Sequence, residues 1–204
     1  MAKSKKEVIL LNISGKDKPG LTASLMEVLA QYNVNILDMG QSVIHQDLGL
    51  GILFEVPKES KSSSILKDLL FKSYELGTHI KFTPIPVDKY EEWVSNQGKG
   101  RYIITLLAPR LTASDLSQVA TVIVEQKLNI DTISRLSGRK SLMKKDNVAK
   151  AVVEFTVRGT PVDMTAMKQE LLNISSGSDF DIAFQEDNVF RRSRRLVCFD
   201  MDST

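Results

Sequence analysis

One cysteine, one tryptophan and two histidines are all that 204 residues hold of three side chains on which disulfides, aromatic platforms and metal sites depend. Cys198 has no mate, so neither a disulfide framework nor a thiolate metal cluster can form within the chain, which fits a reducing, cytoplasmic setting. His45 and His79 lie far apart near strand ends with no ligand set around either, and each reads as a partly exposed strand residue. Charge of one sign is lacking too. The 27 basic and 25 acidic side chains leave +2, which gives no field to steer the protein to nucleic acid or to an anionic membrane. No apolar run is long enough to span a bilayer. The opening "MAKSKKEVILLNIS" alternates and carries Asn12 and Ser14, so it reads as a strand rather than the apolar core of a signal peptide. A glycine-rich phosphate loop and a serine–histidine–aspartate set are both absent.

What the sequence does hold is a repeat. An apolar content of 42% is enough for real cores, and the length suits one ordinary domain or two small ones. Slid against itself, "YNVNILDM" from Tyr32 falls on "QKLNIDTI" from Gln126, and Leu25, Val28 and Leu29 fall on Val119, Val122 and Ile123 at helical spacing. The chain reads as a duplicated unit of roughly 85 to 95 residues. Each unit reads strand, helix, strand, strand, helix, strand. In "AKAVVEFTVR", Ala151, Val153, Phe155 and Val157 take one face and Lys150, Glu154, Thr156 and Arg158 the other, the pattern of a sheet packed on one side only. Two helices on one face of a four-stranded antiparallel sheet satisfy it, which makes the fold class α+β with two tandem ferredoxin-like βαββαβ domains. Gly49 and Gly51 fall on the uncovered face, either to admit another backbone or simply as loosened residues beside a turn.

The expected division is a first domain over 6–87, a polar linker over 88–100 with Trp93 as its anchor, and a second domain over 101–187. A basic, solvated linker over 188–195 and an apolar strand with two aspartates over 196–204 follow. The tip "SGRKSLMKKDN" around Lys140 reads as a solvated hairpin loop. That last strand has nothing in the chain to cover it, so the ending reads as a cut, with 196–204 expected to be mobile.

Two stretches carry candidate chemistry. In "GKDKPGL", Gly15 permits a tight reversal, Pro19 presets a helical turn, and Gly20 leaves the backbone bare at the helix start. Free N–H groups there can hold a carboxylate, while Asp17 and Asn33 or Asn35 can meet an ammonium group and a small side chain, the complement of an α-amino acid. The alternative is an ordinary capped turn. In the ungapped register Gly15 and Gly20 become Pro109 and Ser114, so the first unit is the expected binder. In "FDMDST", Asp200 and Asp202 follow a strand, where one carboxylate can attack phosphorus and its neighbour can exchange protons if Mg²⁺ offsets their charge; the alternative is a surface turn.

Taken together, the duplicated units, "GKDKPGLTASLMEVLAQYNVNILDMGQSVIH" and the terminal "FDMDST" resemble the amino-terminal region of the bacterial phosphoserine phosphatases that carry two ACT domains ahead of a haloacid-dehalogenase-type catalytic domain. The resemblance covers essentially the whole chain. It implies Asp200 as nucleophile and Mg²⁺ ligand, and Asp202 as general acid and base that also binds the metal through its carbonyl. The later catalytic motifs would lie beyond Thr204, so the chain is expected to be inactive alone and to need no cofactor. It also implies an L-serine site with Gly15, Asp17, Gly20, Asn35, Asp38 and Gln41 as candidates, and a homodimer; the balanced charge adds the expectation of no nucleic acid and no membrane partner. Two other readings remain: a dimerisation module that binds no metabolite, and a tandem ACT regulator of transcription, which would predict a stop near residue 190. RNA binding is disfavoured because the first unit's central strands lack an exposed aromatic pair.

Overall fold

The computed structural model describes residues 6–139, 143, 150–188 and 191. It divides into two compact units, residues 1–95 and 96–204. In the first, β1 (Glu7–Lys16) is followed by α1 (Leu21–Gln31), β2 (Asn35–Ile44), β3 (Asp47–Val56), α2 (Ser62–Leu76) and β4 (His79–Ile85). The strands form one antiparallel sheet in the order β2-β3-β1-β4. Helix α3 (Val87–Asn96) leads on to β5 (Arg101–Ala108), α4 (Ala113–Glu125), β6 (Asn129–Arg135), β7 (Ala151–Arg158), α5 (Met164–Ser176) and β8 (Asp181–Glu186). The second sheet runs β6-β7-β5-β8, so both units share the βαββαβ ferredoxin-like topology.

Each sheet hides one face. In the first unit Ile9, Leu11 and Ile13 of β1 and Leu50, Ile52 and Phe54 of β3 meet Leu21, Leu25, Val28 and Leu29 of α1 and Ile65 and Leu69 of α2. In the second, Ile104, Leu106, Val153, Phe155 and Val157 meet Val119, Val122 and Ile123 of α4 and Met167 and Leu171 of α5. The period-two alternation predicted for β7 is what is buried here. On α2, Ile65, Leu69 and Ser73 face the core while Leu70 is exposed, because Leu66, Leu69 and Leu70 together span more arc than one sheet can cover.

The repeat extends to irregular features. Asn33 (φ 52°) and Lys127 (φ 56°) hold the same left-handed position after their helices, and β2 and β6 both slip register one step into the strand, between Ile36 and Asp38 and between Ile130 and Thr132. Two features differ from the sequence reading. Most of the polar stretch after β4 is helical, supported by Asp88 in its first turn and a Lys89–Glu92 ion pair at 2.8 Å, and Trp93 packs on Tyr90 of the same helix, ring centroids 5.9 Å apart. And Arg191, from the basic run, lies on the second sheet's open face, its guanidinium 2.7 Å from Glu154 and 3.8 Å from Asp187. Lys140 and most of its tip, and all of 196–204, with Cys198, Asp200 and Asp202, fall outside the described residues.

Candidate functional site

The turn from β1 into α1 gathers four of the six sequence candidates at one end of the first sheet. Gly20 takes the N-cap position with φ 85° and ψ −5°, a left-handed conformation that glycine adopts without strain, and no side chain caps the helix. The Ser24 amide reaches the Gly20 carbonyl at 2.9 Å and the Leu21 amide reaches Lys18 at 3.4 Å, while among the described residues the amides of Thr22 and Ala23 find no backbone acceptor. These are the groups from which a helix N-terminus attracts an anion. A Cβ at Gly20 would meet nothing within 4 Å, so the approach is open.

Around it, the Asp17 amide donates to the Gln46 carbonyl at 2.8 Å, which fixes the turn against the β2–β3 hairpin and leaves the Asp17 carboxylate exposed. The Thr22 hydroxyl donates to Gln41 Oε1 at 2.7 Å and ties the first turn of α1 to β2. The sequence reading did not single out Thr22, and a hydroxyl two residues beyond a bare N-cap glycine was its only signal. Gly15 has another explanation than ligand access: a Cβ there would come within 3.3 Å of the Thr78 Cα, so glycine lets β1 pass the start of β4.

Asn35 and Asp38 do not join this group. Gly15 pairs with Leu48 and Asn35 with Glu55, seven residues along β3, about 23 Å at the rise of a strand. Asn35 Nδ2 donates to Glu55 at 3.4 Å, and Asp38 Oδ1 accepts from the Met39 amide at 2.8 Å. Asn33 serves the left-handed turn before β2 at that same far end.

The second unit closes the corresponding helix start. Helix α4 begins two residues earlier in the repeat register than α1, so Thr112 rather than Ser114 takes the place of Gly20, and with Asp115 it forms a capping box. Thr112 Oγ1 accepts from the Asp115 amide at 3.2 Å and Asp115 Oδ2 accepts from the Thr112 amide at 2.8 Å. A concavity of about 400 Å³ lined by Pro109, Arg110, Ser178 and Asp179 lies beside it, but the side chains of the cap already satisfy donors at that helix start. Thr112→Ala is expected to destabilise this unit by about 1 kcal/mol, read as a lower urea midpoint for loss of helical circular dichroism.

Comparison with known proteins places this geometry. Residues 7–83 match the ACT domain family. Over 196 residues, 96% of the chain, it is 26% identical to phosphoserine phosphatase SerB2 of Mycobacterium tuberculosis and 30% identical to a phosphoserine phosphatase of Streptomyces coelicolor. It spans 45% and 44% of the length of those relatives. Among solved structures, that of a putative glycine cleavage system transcriptional repressor superposes over 89% of the chain and 97% of its own with a TM-score of 0.60 at 11% identity, a likeness of fold.

Proposed function

We propose, from the premise that residues 7–83 are an ACT domain, that the chain is the amino-acid-sensing and dimerising region of a phosphoserine phosphatase. The ligand in this reading is L-serine, and the observation that carries it is the contrast between the two helix starts: α1 is uncapped behind a left-handed glycine, while α4 is closed by its own side chains. The ligand carboxylate takes the Thr22 and Ala23 amides and its ammonium group takes the Asp17 carboxylate. The full enzyme would hydrolyse O-phospho-L-serine through an aspartyl-phosphate on Asp200, with Asp202 moving protons and both holding Mg²⁺; this step rests on the sequence resemblance alone.

A second copy is supported by strand β2. It is ten residues long, lies at the sheet edge, and exposes Ile36, Met39, Val43 and Ile44. Met39 and Val43 point to the helix side, pairing with the inward Ile52 and Leu48, yet the helices leave them uncovered. A long apolar edge of this kind invites a partner strand. Antiparallel pairing of two β2 edges centred near Gly40 would set Asn35 of one copy opposite Ile44 of the other, at the end where α1 begins. Asn35 would then complete the site from across the interface.

Calorimetric titration with L-serine, with D-serine and glycine as controls, tests the reading. Saturable, stereoselective heat from a chain that sediments as a dimer is the expected result. Asn35→Ala should weaken that heat if the site spans two copies and leave it unchanged if one unit suffices. No heat from a stable dimer would leave a purely structural pairing module.

A further inference from the structure

Three glycines interrupt the middle of the first sheet for no reason internal to the fold. Gly40 of β2 pairs with Gly51 of β3, and Gly49 lies two residues from Gly51 on the same face. None has a left-handed backbone. A Cβ built on Gly40 would meet nothing within 4 Å, on Gly49 only Ser42 Oγ at 3.5 Å, and on Gly51 only Asn12 Oδ1 at 3.9 Å and the Gly40 carbonyl at 4.0 Å. Glycine in a strand interior is destabilising, and here neither turn geometry nor crowding requires it.

These glycines floor a trough of about 550 Å³ on the open face of the sheet. Two rows cross it by strand pairing: Ser42, Gly49, Ser14 and His79, then Gly40, Gly51, Asn12 and Lys81. The β2–β3 side is therefore bare backbone apart from Ser42, and the β1–β4 side presents an ammonium group, an imidazole, a carboxamide and a hydroxyl. Among the described residues none of these side chains has a hydrogen-bond or ion-pair partner. A cation beside several neutral donors suits a phosphate, which offers several acceptor oxygens, better than it suits a carboxylate.

The sister unit treats the same face differently. Matched through Asn35 and Asn129, the row Gly40, Gly51, Asn12, Lys81 corresponds to Ser134, Glu154, Thr105, Ala183. Where the first unit has bare Gly51, the second has Glu154 binding the guanidinium of Arg191 at 2.7 Å. That face holds a charged group from its own chain, whereas the first unit's trough, of opposite charge, is left open.

We propose that the glycine-floored trough binds a small phosphorylated metabolite, its phosphate against Lys81, Asn12 and the Ser14 hydroxyl and its body over Gly40, Gly49 and Gly51. This site is separate from the α1 start and does not depend on serine binding there. The test is an amide NMR titration of the 204-residue chain with inorganic phosphate and with O-phospho-L-serine, alongside L-serine. Saturable shifts at Gly40, Gly49, Gly51, Asn12 and Lys81 with both phosphates, stronger with the organic one, are expected; L-serine should move Gly20 to Ala23 instead. Lys81→Glu, at an exposed edge position, should weaken phosphate binding at least tenfold. Gly51→Val has room for its Cβ and should raise the unfolding midpoint while also weakening binding at least tenfold. Shifts scattered over surface lysines, or a Gly51→Val chain that binds phosphate like the parent, would overturn the proposal, whatever L-serine does.

Discussion

Gly20→Asp is expected to abolish the saturable serine heat, with affinity falling at least tenfold, which corresponds to about 1.4 kcal/mol. Space does not oppose the change, since a side chain there meets nothing within 4 Å; the φ of 85° strains any L-residue, aspartate less than most. The new carboxylate stands where a ligand carboxylate must, beside the unpaired amides of the first turn and the positive end of the α1 dipole. It repels the ligand and competes for its donors without disturbing the core below. Gly20→Ala adds bulk without charge and should weaken binding less. Calorimetry on both variants, with circular dichroism to show that α1 persists, separates charge competition from steric blocking. An aspartate variant that binds serine as the parent does would remove the α1 start from the mechanism.

Phe54→Ala should cost the first unit about 3–5 kcal/mol, the range for deleting a fully buried aromatic ring. Phe54 is 0% exposed and lies in the core cluster between the sheet and α1 and α2. Against a net stability of about 5–15 kcal/mol for a small domain, the loss removes much of what holds the unit together. Hydrogen exchange should show amide protection over residues 7–85 collapsing towards that of the unfolded chain. Phe155→Ala, 1% exposed in the other core cluster, should act on the amides of 101–186 in the same way. A change below about 1 kcal/mol in either would mean that its core is less tightly packed than the burial implies.

Much of this architecture was legible in the residues because it depends on local period. The alternation in β7, the helical spacing of Leu25, Val28 and Leu29, and the Asn-Ile shared by β2 and β6 each report which side of an element faces a core, and a repeated unit states it twice. The helix after β4 has the polar composition of a linker; Asp88, the Lys89–Glu92 pair and the Tyr90–Trp93 contact supply local support that hydrophobic period does not record. On α2, Leu66, Leu69 and Leu70 in five positions do not say which of them the sheet will cover.

The candidate site was legible only in part. The sequence by itself determined the residue types that a bare helix start needs, Asp17, Pro19 and Gly20, since backbone conformation and capping are properties of neighbours in the chain. Tertiary structure alone decided that Gly15 serves the passage of Thr78, that Gln41 reaches Thr22 from another strand, and that Asn35 stands at the far end of the sheet. It also decided that Arg191 rests on Glu154 while the equivalent Gly51 stays bare. The physical reason is register. Which residues share a row across a sheet depends on hairpin length, bulges and pairing partners contributed by segments far apart in the chain, and no single segment encodes them.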